Sequence, residues 1–254
     1  MIRGFLKSAS EPAASDSSFP PLVPKGKKKG RLRAIIVPHA GYVYSGPVAA
    51  YAYHLLHGLD MPERIIIIGP SHYASFPGLA ESGYVSWSTP LGELDAFSIR
   101  DKKNGSKIVV DQPAHGPEHS LEVQLPFLQV VLEGRRFRVD PILTGDVDPR
   151  LGAESLADAV EDAFLIISSD LSHYMPYKDA VARDSQTLAL LGSMDADRFL
   201  RAGDACGRSG IAIAIALAKK MGWRFQLLAY ANSGDTAGPK SEVVGYAALA
   251  IMEG

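Results

Sequence analysis

Ile35-Ile36-Val37-Pro38-His39-Ala40-Gly41-Tyr42 is an apolar, β-branched run that stops at proline and delivers a histidine into a small-residue turn. An ionisable side chain at the C-terminal end of a buried strand is where open α/β sheets place their chemistry. The pattern returns at Ile65-Ile66-Ile67-Ile68-Gly69-Pro70-Ser71-His72, and in altered form at Phe164-Leu165-Ile166-Ile167-Ser168-Ser169-Asp170-Leu171-Ser172-His173. None of the three runs alternates with polar residues, so each reads as a strand covered on both faces, the condition of parallel strands. Between them lie segments of helical spacing: Pro47 to about His57, with Pro47 in the first turn and Gly58 as the stop; Leu121 to Leu132, kinked or restarted at Pro126; and Asp148 to Asp162, with Leu151, Leu156, Ala159 and Val160 inward.

Further along, residues 177–202 read as helix broken near Gly192, residues 203–210 as a glycine-punctuated loop, and Ile211–Met221 as an apolar helix packed on the sheet. Arg224–Ala231 and Val243–Ile251 are the last strands, an antiparallel edge. Residues 74–106 form an excursion with one hairpin turning at Thr89-Pro90-Leu91-Gly92, and Lys107–Asp111 a short strand. Alternating strands and helices predict a single three-layer α/β/α domain, residues 31–254, on a mixed, mainly parallel sheet. Residues 1–30, rich in Ser, Pro, Ala and Lys, predict an irregular arm with little core.

Bulk properties narrow the function classes. The 254 residues are 46% apolar with a net charge of −2, giving no basic footprint for nucleic acid. The basic cluster Lys25–Arg33 reads as a solvated lead-in to the first strand. One cysteine excludes an intramolecular disulfide framework and suits a reducing cytoplasm. No apolar run is long enough to span a bilayer, and no secretory leader is evident.

His39, His72 and Cys206 lie in glycine-bounded loops, and imidazole and thiolate are both ligands for Fe, Cu or Zn. The spacing alone leaves metal binding open, because only the fold could bring these positions together. Cys206 could equally be a small buried hydrophobe, although Gly207, Arg208 and Gly210 make a loop that would favour a thiolate. His119 and His173 are candidate acid–base groups. Asp170 could orient His173 or a ligand, or cap a helix. Glu118 and Glu122 could pair as buried carboxylates or sit as helix-start charges. His54 and His57 read as satisfied helix residues and His115 as exposed in a polar loop. No phosphate-binding or dinucleotide loop appears, and Gly69-Pro70-Ser71-His72 lacks the second glycine of a nucleophile elbow.

Val37-Pro38-His39-Ala40-Gly41-Tyr42 with Ser45-Gly46, Gly69-Pro70-Ser71-His72, Thr89-Pro90-Leu91-Gly92, Glu118-His119-Ser120-Leu121-Glu122 with Gln124-Leu125-Pro126-Phe127, Ser168 through Tyr174, and Cys206-Gly207-Arg208 together resemble the Memo family. Its prokaryotic members are known as the B component of the AmmeMemoRadiSam system. The resemblance runs collinearly over residues 32–252. It implies the fold of the type III extradiol dioxygenases, which hold non-haem Fe(II) on two histidines and a glutamate. By that likeness His39, His72 and Cys206 are the metal ligands, the cysteine replacing the carboxylate. His119, His173 and Asp170 would do the acid–base work, and Tyr42, Ser71, Glu118 and Arg208 would line the substrate pocket. The expected cofactor is Fe(II), with Cu or Zn as alternatives, because thiolate is softer than carboxylate. The implied activity is a metal-dependent redox or oxygenase reaction on a small molecule or peptide, linked to a radical SAM protein. A non-catalytic peptide or ligand module and a metal-assisted hydrolase are the competing readings. The chain departs from the family before its first strand, where members carry a Gly-x-aromatic-Tyr segment and an amphipathic helix that residues 1–30 do not clearly contain.

Overall fold

The computed structural model describes residues 1–9, 30–100 and 108–254. The chain opens with α1 (Ile2–Ser8), followed by β1 (Leu32–Val37), α2 (Tyr42–His54), β2 (Arg64–Pro70), β3 (Leu79–Glu81) and the hairpin β4 (Ser86–Thr89) and β5 (Gly92–Asp95). Then come β6 (Ile108–Val110), α3 (Gln112–His115), a 3-10 turn at Glu122–Gln124, α4 (Leu125–Val131), β7 (Arg138–Thr144), α5 (Pro149–Leu156) and β8 (Phe164–Ser168). The last third is α6 (Tyr177–Leu191), α7 (Ala196–Ala202), α8 (Arg208–Met221), β9 (Trp223–Asn232), α9 (Ser233–Thr236) and β10 (Gly245–Glu253).

Eight strands form one sheet in the order β6-β3-β7-β2-β8-β1-β10-β9. The four central strands, β7, β2, β8 and β1, are parallel, while β10 and β9 add antiparallel on one side and β3 runs antiparallel to β7 on the other. The sheet is therefore mixed and mainly parallel at its centre. The strand period of two divides the core between its faces. Ile35, Val37, Ile65, Ile67 and Ile166 pack with α2 and α4, whereas Ile36, Ile66, Ile68, Leu165 and Ile167 pack with α5, α6 and α8. This double burial explains the unbroken apolar runs.

Four details differ from the sequence reading. First, Ile2–Ser8 is helical: Ile2, Phe5 and Leu6 pack on the core, Phe5 so close that a Cβ on Gly46 of α2 would lie 2.6 Å from its ring. The rest of the supposed arm, residues 10–29 with most of the Lys25–Arg33 cluster, lies outside the described residues, as does Lys107. Second, α2 begins at Tyr42, so Pro47 is interior. Lacking an N–H, it leaves the Val43 carbonyl without its helical partner, at a residue that is exposed. Third, α5 stops at Leu156 and turns Gly152, Ala153 and Leu156 inward, Gly152 meeting Ile213 of α8, which leaves Leu151 exposed. Fourth, His115 is buried, its Nε2 donating to the Ala80 carbonyl at 2.9 Å. No helix among the described residues is long and apolar enough to cross a membrane.

Candidate metal centre

β1, β2 and β8 are neighbours and parallel, so their C-terminal ends open on one edge of the sheet. His39 leaves β1 there, His72 leaves β2, and Ser168-Ser169-Asp170 ends β8. Cys206 reaches the same edge from the turn before α8. That turn closes on β8 because residue 207 is glycine: a Cβ would lie 2.6 Å from the Ser168 carbonyl oxygen.

One donor atom each from His39, His72 and Cys206 falls within 4.8 Å of the others. His39 is buried, with Nε2 3.3 Å from Cys206 Sγ and Nδ1 2.9 Å from Ser168 Oγ. Its backbone N–H donates to Asp170 Oδ1 at 2.8 Å. Burial lowers the His39 pKa to about 4, with the neighbouring imidazoles adding to the effect and Asp170 opposing it, so the ring is neutral at pH 7. His72 is partly exposed and bound to Glu118 twice, through its N–H to Oε2 at 2.6 Å and its Nδ1 to Oε1 at 2.9 Å. An ionised carboxylate only accepts, so Nδ1 carries a hydrogen, and in the neutral ring Nε2 then holds the lone pair. The hydrogen bond to Glu118 raises the His72 pKa.

Glu118 Oε1 also accepts the N–H groups of His119 and Ser120, each at 2.9 Å. Burial pushes its carboxyl up, but the two bonds from His72 and that from the Ser120 N–H outweigh burial and hold it at about 2. The sequence reading gave Glu118 a role in substrate binding or a pairing with Glu122. Here its oxygens are committed to positioning His72 and the following turn, and Glu122 is exposed. His119 completes the imidazole cluster, its ring stacked on His72 at 5.4 Å and edge-on to His39 at 5.7 Å. The Cys206 sulfur accepts the Asp170 N–H at 3.2 Å. Burial, with the Asp170 charge adding, drives its thiol up to about 12. Arg208, expected to favour a thiolate, is exposed at the start of α8.

Other expected contributors are placed differently. His173 makes its ring contact with Tyr174, at 5.9 Å, and joins neither donor grouping found among the described residues, His39 with His72 and Cys206 or His72 with Glu118 and His119. Asp170 orients the His39 turn rather than His173. Ser71 closes its own loop through the Ala74 backbone, and the Tyr42 hydroxyl donates to the Val123 carbonyl. Conversely, Ser168, Gln124 and Ser120, which sequence reasoning passed over, hold His39 from behind. The available signal was a polar residue inside or closing an apolar run: Gln124 before Leu125, and the serine pair after Ile167.

This donor set fits a cation of borderline softness, two imidazole nitrogens and a sulfur. The charge pattern agrees. Asp170 and Glu118 are buried, and among the described residues no lysine or arginine forms an ion pair with either; their ion-pair partners are histidines. Two buried carboxylates beside the donor atoms make the potential there negative, which favours a cation.

The Memo-like protein family model matches residues 14–250. A MEMO1 family protein of Sulfolobus acidocaldarius is 39% identical over 245 residues, covering 89% of this chain and 85% of that one. Relatives of the same description in Sulfurisphaera tokodaii and Saccharolobus solfataricus are 37% and 36% identical over comparable shares, 89% and 87% of this chain and 85% and 84% of theirs.

Proposed function

The chain belongs to the Memo-like family, and from that premise we propose that it is a metal-dependent oxidoreductase whose ion is held by His39, His72 and Cys206. The carrying observation is the convergence of these three donors from three separate segments, with Nδ1 of each ring bound back to an oxygen. Fe(II) suits the two-histidine plan, and the sulfur extends the range to Cu or Zn. When bound, such an ion supplies Lewis acidity and, if redox-active, electron transfer.

The chain's own residues then divide the work. Ser168 and Glu118 hold the two rings, and Asp170 holds the His39 backbone and the sulfur. His119, with nearly half its side chain exposed beside both rings, is placed to carry a proton between a bound substrate and water. Exposure of His72 and His119 leaves the centre open to an incoming ligand.

The test is anaerobic reconstitution of untagged protein with Fe(II), Cu(I) or Zn(II), followed by stoichiometry. About one ion per chain is expected, falling toward zero in Cys206→Ala. Near-zero occupancy in the native chain by all three ions would refute the reading. A ligand-binding module is favoured instead if a peptide or small anion binds undiminished by His39→Ala and chelation. Exposed Tyr73 and Tyr174, beside His72 and His173, give that alternative a surface.

A further inference from the structure

Behind His39 lies a chain of buried polar groups that the metal reading does not require but that determines how the ring is presented. Gln124, Tyr53, Ser120 and Ser168 are all buried. The Tyr53 hydroxyl is 2.8 Å from Gln124 Oε1. Gln124 Nε2 is 3.0 Å from the Pro38 carbonyl and 2.8 Å from Ser168 Oγ. Ser168 Oγ is 2.6 Å from the Ser120 carbonyl and 2.9 Å from His39 Nδ1.

The hydrogens in this chain have one consistent arrangement. Backbone carbonyls only accept. The Gln124 nitrogen must therefore face Pro38, which leaves its oxygen to accept from Tyr53. The single Ser168 hydrogen must go to Ser120. Ser168 Oγ then has only lone pairs to offer, one to the second Gln124 amide hydrogen and one to His39. We propose that Ser168, oriented by Gln124, Tyr53 and Ser120, is the positioning residue that fixes His39 as the Nδ1–H tautomer, turning the Nε2 lone pair toward Cys206. The inference rests on the metal reading for its purpose, but the tautomer is a property of the chain alone. It assigns a role to Gln124 and Tyr53, which lie in the layer beneath the centre: the imidazole hydrogen is set by a relay that starts in the α2–α4 interface, where the Tyr53 ring stacks on Phe127 at 4.7 Å. Groups that fix the far nitrogen of a ligating histidine commonly govern affinity as well as orientation.

The experiment uses metal-free, ¹⁵N-labelled full chain at neutral pH, with long-range ¹H–¹⁵N spectra of the imidazoles and His39 assigned by its loss in His39→Gln. The native ring is expected as Nδ1–H, Ser168→Thr is expected to keep that form, and Ser168→Ala to shift toward Nε2–H. Zn(II) affinity by chelator competition should fall about 10- to 100-fold in Ser168→Ala and far less in Ser168→Thr. A native His39 in the Nε2–H form overturns the inference, and this spectrum decides it even if Ser168→Ala fails to fold. Unchanged tautomer and Zn(II) affinity in a folded Ser168→Ala would overturn it too. If the native tautomer is Nδ1–H and is lost in Ser168→Ala while no form binds Zn(II), Fe(II) or Cu(I), the positioning role stands and the metal reading fails.

Discussion

Replacing Glu118 by Gln should destabilise the metal-free protein at pH 7 by about 3 kcal/mol, a figure that follows from how the carboxylate is held. The group titrates at about 2 instead of its ordinary 4.5. Linkage converts that difference to about 3 kcal/mol of folding free energy at neutral pH. The same bond raises His72, so its energy is counted once, on the carboxylate. The sign is that of a depressed acid: the stabilisation is complete above the unfolded value, near 4.5, and disappears as pH falls through 2. At pH 3 about 1 kcal/mol of it should remain. Glutamine cannot replace it. Oε1 accepts three N–H groups and Oε2 a fourth, so an amide –NH₂ faces at least one donor whichever way it is turned. Urea unfolding of native and variant chains in chelator, between pH 7 and pH 3, measures the gap directly. A gap below about 1 kcal/mol at pH 7, or one of constant size down to pH 3, would show that Glu118 is not the ionised anchor of His72.

Other consequences are as sharp. Cys206→Ser, which keeps size but offers a harder donor, should lower Cu(I) and Zn(II) affinity more than it lowers Fe(II) affinity, measured by competition; equal losses would place the sulfur outside the ligand set. Asp184 is fully buried, and burial raises its pKa despite bonds from the Ser172 N–H and the Tyr230 hydroxyl. A raised acid costs stability as pH climbs through and above its unfolded value. Asp184→Asn, neutral at all pH, should therefore gain stability relative to the native chain as pH climbs from acid to neutral, and a difference between the two chains that stays constant or shrinks with pH would refute it. Phe5→Ala should remove about 1–2 kcal/mol by undocking α1 from Gly46 of α2, read as a lower urea midpoint; no change would mean the helix contributes nothing to the core.

The sheet was legible wherever a strand is buried on both faces. Ile65-Ile66-Ile67-Ile68 can satisfy its side chains only between two layers, so its length and its polar terminator at His72 both show in the sequence. The same logic located His39. What lay beyond reach depended on partners far along the chain. Ile2–Ser8 has no side-chain cap, and its packing depends on Phe5 meeting a glycine more than forty residues away. His115 reads as a loop histidine until β3 brings the Ala80 carbonyl to its ring. His119 and His173 are both histidines in polar turns, and only the placement of the turns makes one a neighbour of His39 and His72 and the other a neighbour of Tyr174. Ser168 and Gln124 show in the sequence only as polar residues at the border of apolar runs, because a hydroxyl or amide declares its role through the groups it faces.

The strand order explains why one short turn controls so much. β8 is inserted between β1 and β2, so its last residues lie beside both histidine-bearing loops and under the turn that carries Cys206. Three consecutive residues there each hold a different group. Ser168 meets the His39 ring, Ser169 Oγ accepts the Gly207 N–H, and Asp170 accepts the His39 N–H while donating its own to the sulfur. Two of the three donors are thus fixed by the residues at and just beyond one strand end, where β8 is paired with β2 through Ile167 and with β1 through Ser168. The third, His72, is fixed independently by Glu118 from the loop ahead of α4. A centre with one rigid pair and one separately tethered ring can adjust a single ligand without disturbing the other two. That ring is the more exposed of the two histidines, with 30% of its side chain open against 3% for His39.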